Sequence, residues 1–295
     1  MDLRQARYQA VERLGREYKI TKICKTLRIC RSAYYEWKTK PQSKRECANN
    51  KLLQHINRIH RESKGTFGSP RITIKLKEEG IHCNHKRVER LMKENDIYSK
   101  TKRKFKITTD SNHQLPVCEN ILVRNFKPEK ANQSWCSDIT YIRTAEGWLY
   151  LAVVLDLFSR RVIGWSMSES MSKQIVMDSF MMAWESRGKP QGVIFHSDRG
   201  SQYASNDFRN LLQKLEVIQS MSRRANCWDN ACAESFFASL KKEEVYLNVY
   251  ATREQAKSCI FEYIEIFYNA YRPHSYVDGL SPNHYEMMKA RENKA

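Results

Sequence analysis

The sequence predicts a mixed α/β core carried behind an all-α, strongly basic front. Three observations lead there. The charge is one-sided: residues 1–106 hold 29 Lys and Arg against 11 Asp and Glu, whereas residues 107–295 hold 22 of each. The elements that can be read before residue 100 are all helices. From residue 133 onward, three strand-like runs give way to strand–helix alternation, the pattern of a mixed sheet with helices on its faces.

Residues 2–17 carry a partial apolar stripe of Leu3, Ala6, Ala10, Val11 and Leu14, which predicts a helix. Short helices follow at 21–27 and 31–38, joined by a turn at 28–30. That is helix-turn-helix spacing, with Arg31, Ser32, Tyr34, Tyr35 and Lys38 directed toward a DNA groove. Residues 1–40 form this first segment, and Pro41 and its polar neighbours read as a linker. Residues 41–100 form a second DNA-binding segment. It holds a helix at 45–62, then one from Pro70 to Glu79 capped by Ser69 and stopped by Gly80. A last helix runs from His85 to Asn95, capped by Asn84. Arg71, Lys86, Arg87 and Arg90 are available there for phosphates. The run 100–106, with Lys102, Arg103 and Lys104, suits tracking along a phosphate backbone. Residues 101–130 read as a basic, polar linker.

Strands are expected at about 134–143, 148–158 and 161–167, with short ones at 192–196 and 217–220. Helices are expected at 173–187, 206–215, 226–244, 252–271 and after Pro282. The core is placed at 131–247 and a helical extension at 248–295. In the 226–244 helix, Ala233, Phe236, Phe237 and Leu240 fall on one buried side, and Asp229 or Asn230 is expected to cap the start. Glu234 borders that side, and Lys241 lies two turns further along nearly the same line. Arg223, Arg224 and Trp228 lie in the preceding loop, where contact with DNA or simple packing of Trp228 are both open.

Hydrophobic residues make up 41% of the chain, which fits a globular protein. No apolar run is long enough to span a membrane, and the N-terminus has no apolar signal core. Nine cysteines in an odd, scattered set argue for reduced thiols in a cytoplasm. His82, Cys83 and His85 lack a second ligand pair, so no zinc site is expected.

Three acids stand out. Asp138 sits inside a strand, where Asp is depleted and a lone buried carboxylate is costly. Asp198 follows a buried strand at its carboxyl end, where open α/β sheets place their sites. Glu234 is the third. Three inward carboxylates repel one another unless a cation neutralises them, and oxygen-only ligands suit two Mg²⁺ or Mn²⁺ ions clamping a phosphodiester. Asp156 reads as a turn residue near the site. His196 is read as structural or DNA-contacting before it is read as a base.

The stretches S-W-C-S-D-I-T-Y-I, F-H-S-D-R-G-S-Q-Y and C-W-D-N-A-C-A-E-S-F-F-A-S-L-K-K-E closely resemble the catalytic core of bacterial insertion-sequence transposases. These are similar to retroviral integrases and have a ribonuclease-H-like fold. The family pattern is Asp, Asp, thirty-five residues, Glu, then a basic residue seven further on. Asp198 and Glu234 here enclose thirty-five residues, and Lys241 lies seven beyond Glu234. With Y-N-A-Y-R-P-H near the end, the sequence looks like the second-frame protein of two-frame, IS-three-type elements. The resemblance implies Asp138, Asp198 and Glu234 as metal ligands and catalytic triad, with Lys241 on transposon-end DNA. It implies cleavage by water and then strand transfer by the freed 3′-hydroxyl, without a covalent protein–DNA intermediate. The implied partners are double-stranded DNA, further copies of the chain in a synaptic complex, and a fused or separate upstream-frame product. A catalytically silent DNA-binding regulator and a nuclease that does not join strands are the alternatives.

Overall fold

The computed structural model describes residues 3–39, 43–100, 118–223 and 227–293. The chain divides into two compact units, residues 1–55 and 56–295. Helices α1 (Leu3–Leu14), α2 (Ile20–Thr26) and α3 (Arg31–Thr39) lie in the first, and α4 (Lys44–Glu62) begins there. Tyr8, Val11, Ile23, Cys24 and Tyr34 form its core, with Leu27 and Trp37 packed against them. Tyr34, expected toward a groove, is therefore a core residue instead, sandwiched near Tyr8 and Trp37. Arg28 takes the left-handed conformation at φ 53° in the turn after α2. Glycine adopts that geometry without cost, and a side chain there costs about 1–3 kcal/mol. Bonds from Arg28 N to Lys25 O and from Ile29 N to Cys24 O close the turn.

The second unit holds α5 (Ser69–Glu78) and α6 (His85–Glu94), then the sheet and its helices. Gly68, not Ser69, occupies the cap position of α5. Ser69 is the first helical residue, and its hydroxyl instead meets His85 Nε2 at 3.0 Å. Asn84 caps α6 as expected, accepting from Lys86 N.

Five strands build one sheet in the order β3-β2-β1-β4-β5. They are β1 (Ser134–Thr144), β2 (Gly147–Asp156), β3 (Val162–Ser168), β4 (Ile194–Ser197) and β5 (Ile218–Met221). The first three form an antiparallel meander, and β4 and β5 join β1 in parallel. α7 (Lys173–Ser186) and α8 (Asn206–Lys214) bury Phe180, Phe208 and Leu212 against Trp135, Val154 and Phe195. α7 crosses β3 so closely that a Cβ on Gly164 would stand 2.6 Å from Ala183 N. Glycine is required by that approach.

α9 (Ala231–Glu243) follows a short 3-10 turn at Cys227–Asn230. α10 (Arg253–Phe261) was expected to run on to residue 271, but residues Glu262–Tyr268 widen into a π-helical segment. Its i→i+5 pattern appears in Asn269 N to Ile264 O and in Arg272 N to Phe267 O. The extra residue turns the Asn269 amide onto β3, where it accepts from Val162 N and donates to Val162 O. α11 (Pro282–Glu292) closes the chain, capped by Ser281.

Candidate active site

The parallel pairing of β1 and β4 sets the site. Ser137 is the register partner of Ser197, and no pairing follows. Asp138 and Asp198 are therefore the next residues on adjacent strands, whose spacing is about 4.8 Å. Asp138 Oδ1 accepts from Ile139 N at 2.8 Å, and Asp198 Oδ1 accepts from Gly200 N at 2.9 Å. Behind Asp138, the Ser137 hydroxyl and the buried Tyr203 hydroxyl are bonded at 2.8 Å.

Glu234 enters from the first turn of α9 and is exposed, while Ala233, Phe236, Phe237 and Leu240 are buried as expected. Burial and then the Asp198 charge push the Asp138 carboxyl well above its usual range. Glu234 adds to that push, while the Ile139 N–H and Lys241 oppose it. Burial also raises Glu234. Lys241 is half-buried, and burial lowers its ammonium against the opposing pull of Tyr141 and Asp138. Its Nζ lies 5.4 Å from the Tyr141 ring centre. Thus the three acids and Lys241 share one electrostatic neighbourhood.

Among the described residues, no three His, Cys, Asp or Glu side chains close into a ready ligand cluster. The donor chemistry nevertheless fits a hard divalent cation. The donors are carboxylates only, one within β1 and one just past the end of the neighbouring β4, and their mutual repulsion is what a cation relieves.

Both ends of α9 are fixed by ion pairs that the sequence did not announce. Asp229 does not cap the helix. Its buried carboxylate accepts from Arg223 Nε and Nη2, Arg124 Nε and Asn120 Nδ2 at 2.9–3.0 Å. The Arg223 bonds, above all, hold it far below the usual carboxylate range. Asn230 occupies the cap position without a side-chain cap, and its Nδ2 reaches Ser137 O at 3.4 Å. At the far end, buried Glu243 accepts from Arg272 Nε at 2.8 Å and Nη2 at 2.9 Å, Arg71 Nη1 at 2.8 Å and Tyr263 Oη at 3.0 Å. Burial acts upward on Glu243, but the Arg272 and Arg71 contacts outweigh it and its carboxyl is lowered. Tyr268 packs edge-on against Phe236, with ring centres 4.8 Å apart. Glu243 is not marked in the sequence because Arg71 and Arg272 are distant from it, whereas Asp229 has Arg223 six residues before it and reads as a cap instead.

The remaining expected positions divide. Arg71, expected on phosphate, is turned to Glu243 and lies against Phe67. Arg223, expected on DNA, is bonded to Asp229. Arg90 pairs with Glu94 at 3.9 Å on α6, where Lys86 is exposed and Arg87 half-buried. Lys102, Arg103, Lys104 and Arg224, like the Trp228 side chain, lie outside the described residues. His196 is buried, with Nδ1 2.9 Å from Ser220 Oγ and Nε2 3.2 Å from Ser222 Oγ. Burial lowers it to about 4, so it stands as a neutral, structural residue at pH 7. Asp156 is not a site residue. It is buried at the end of β2, pairs with Arg187 at 2.7 Å and accepts from Asn132 N and Phe158 N.

Residues 128–227 and 234–289 match two families described as integrase core domains, and residues 48–105 match an HTH-like domain. The chain is 41% identical over 287 residues to transposase InsF for insertion sequence IS3A of Escherichia coli K12, covering 95% of this chain and 98% of that one. It is 41% identical over 260 residues to an uncharacterized 31 kDa protein of insertion element IS600 from Shigella sonnei, covering 88% and 96%. Among solved structures, the HTLV-2 integrase catalytic core domain in complex with magnesium aligns with a TM-score of 0.42 at 16% identity, over 54% of this chain and 99% of that one.

Proposed function

The chain belongs to the family of IS3-type insertion-sequence transposases, DDE-type polynucleotidyl transferases with a ribonuclease-H-like integrase core, and from that premise we propose that it cleaves insertion-sequence ends and joins them to target DNA. The observation that carries this reading is the register of β1 and β4. It sends Asp138 and Asp198 out side by side, within electrostatic reach of Glu234 and Lys241. Asp138, Asp198 and Glu234 are the residues that would hold two Mg²⁺ or Mn²⁺ ions. When bound, such ions supply Lewis-acid charge to phosphate oxygens and lower the pKa of the attacking hydroxyl.

The protein's own groups do the positioning. Lys241 places a positive charge beside Asp138, where a scissile phosphate needs one. The buried face of α9, fixed by Asp229 and Glu243, keeps Glu234 and Lys241 on one ridge. Water is the first nucleophile and the freed 3′-hydroxyl the second, with the same carboxylates serving both displacements. Double-stranded transposon ends and target DNA are the substrates. The basic front, including Lys86, Arg87, Arg90 and the 102–104 run, holds DNA. A homo-oligomer brings two ends together in the bacterial cytoplasm, with an upstream-frame product as a further partner.

The test is Asp198→Asn. Strand cleavage should be lost while DNA binding persists; unchanged cleavage sinks the catalytic assignment of Asp198, and unchanged biological activity sinks the enzyme reading. Supplying a pre-cut end with target DNA separates transposition from simple hydrolysis, because a nuclease yields no joined strands.

A further inference from the structure

Beside the acids, among the described residues, β1 has no strand partner on its β4 side, and α9 packs against it. β1 pairs with β4 only through Ser137, and its next closure on that side is the bridge from Thr144 to Tyr250. Asp138 and Tyr141 point to opposite faces of β1 by strand alternation. Lys241 nevertheless stands beside both, with its ammonium 5.4 Å from the Tyr141 ring centre. Tyr141 is met in turn by Trp148, edge to face, with centres 5.0 Å apart and planes at 86°. Trp148 is 46% exposed, an unusual position for an indole in a strand. Arg143, its cross-strand partner, is also exposed. Of the nearby acids, Glu146 accepts from the backbone N–H of Arg253 at 2.7 Å and Glu169 pairs with the Arg253 guanidinium at 3.0 Å. The result is an aromatic pair flanked by two cations, continuous with the acid site through one lysine.

We propose that Trp148 and Tyr141 form a stacking platform for an unpaired nucleobase next to the phosphate held by Lys241. Cations on both sides favour a polyanion over an apolar protein partner. An aromatic face accepts any base, since every base has a π-face. A terminal base that leaves its duplex loses its stacking, and an aromatic ring repays part of that loss. The platform rests on the transposase reading, and its test is built so that the two can fail separately.

The probe is a duplex carrying the element's own terminal sequence, with 2-aminopurine placed in turn at the terminal nucleotides of either strand. Binding should quench the probe at one or more positions. Trp148→Ala should abolish that quench and weaken end binding on the order of tenfold. Trp148→Phe should retain most of both. Trp148 is about half exposed, and an unchanged far-UV spectrum and urea midpoint in Trp148→Ala verify that the fold is kept. An unchanged quench and affinity in Trp148→Ala overturns the platform, as does a change confined to oligomeric state in light scattering. Asp198→Asn should keep the quench while losing cleavage. If Asp198→Asn still cleaves, the catalytic assignment of Asp198 fails and the quench reports the platform on its own.

Discussion

Buried or half-buried carboxylates occur in two settings around α9, and the two behave in opposite ways. Glu243 and Asp229 are surrounded by guanidinium groups, and their carboxyls are lowered. Asp138 faces Asp198 and Glu234, and its carboxyl is raised. Burial opposes ionisation in all of them, so the neighbours decide the sign. The first kind of acid holds the scaffold in place and is satisfied by the chain itself. The second kind is left with like charges, which an external cation resolves. Of the second kind only Glu234 lies on α9, in sequence between Asp229 and Glu243, so the two scaffold acids fix the helix that carries it toward Asp138 and Asp198.

Substitutions can break that contrast. The largest effect is expected from Asp198→Asn, which should cut strand cleavage by on the order of a thousandfold, about 4 kcal/mol of barrier. Its urea midpoint in metal-free buffer should not fall, because one of two facing charges has been removed. A clear loss of stability would place Asp198 with the scaffold acids. Glu243→Ala should do the reverse and destabilise the fold by about 3–5 kcal/mol, since Arg272 is left buried without its anion. Equilibrium unfolding checks this, and a shift below about 1 kcal/mol would remove Glu243 from the scaffold.

The pH dependence sharpens the same point. A lowered carboxyl stabilises the fold above its unfolded value, near 4, and that contribution is lost as the pH falls through the folded value. Glu243 and Asp229 therefore contribute to acid unfolding, and Glu243→Gln should flatten the acid limb of a stability–pH curve. A raised carboxyl acts in the other direction. Its contribution is fully present below about 4 and declines as the pH rises toward the folded value. Asp138→Asn should thus flatten the slope on the neutral side, measured without divalent ions. The smallest effect is expected from Arg223→Ala, because Asp229 keeps Arg124 and Asn120. Stability should fall slightly, by less than for Glu243→Ala. A larger fall in DNA affinity than in stability would show that Arg223 exchanges Asp229 for phosphate.

Much of the site was legible in the sequence because its chemistry is local to short motifs. An aspartate within a strand, a second just past one, and a glutamate at the start of an amphipathic helix each break a rule of composition. The elements followed from periodicity, and the buried Phe236, Phe237 and Leu240 were placed by it. What escaped depends on long-range pairing. Asp229 has the residue type and position of a cap, yet Arg223 and Arg124 compete more strongly for its oxygens than backbone N–H groups do. Tyr34 sits on a helix that reads as a recognition element, but Tyr8 and Trp37 draw its ring into the core. Asp156 lies at a turn, as read, and only the fold brings Arg187 to it.

The π segment at Glu262–Tyr268 has a consequence for which changes of length the chain can tolerate. Deleting a single residue there would restore ordinary helical bonding and rotate everything downstream by roughly 100°. Asn269 would leave the edge of β3, and Arg272 would swing away from Glu243. A one-residue insertion in the loop between α9 and α10 changes none of these angles. Tolerance to length change along this part of the chain is thus set by rotational phase more than by distance from the acids.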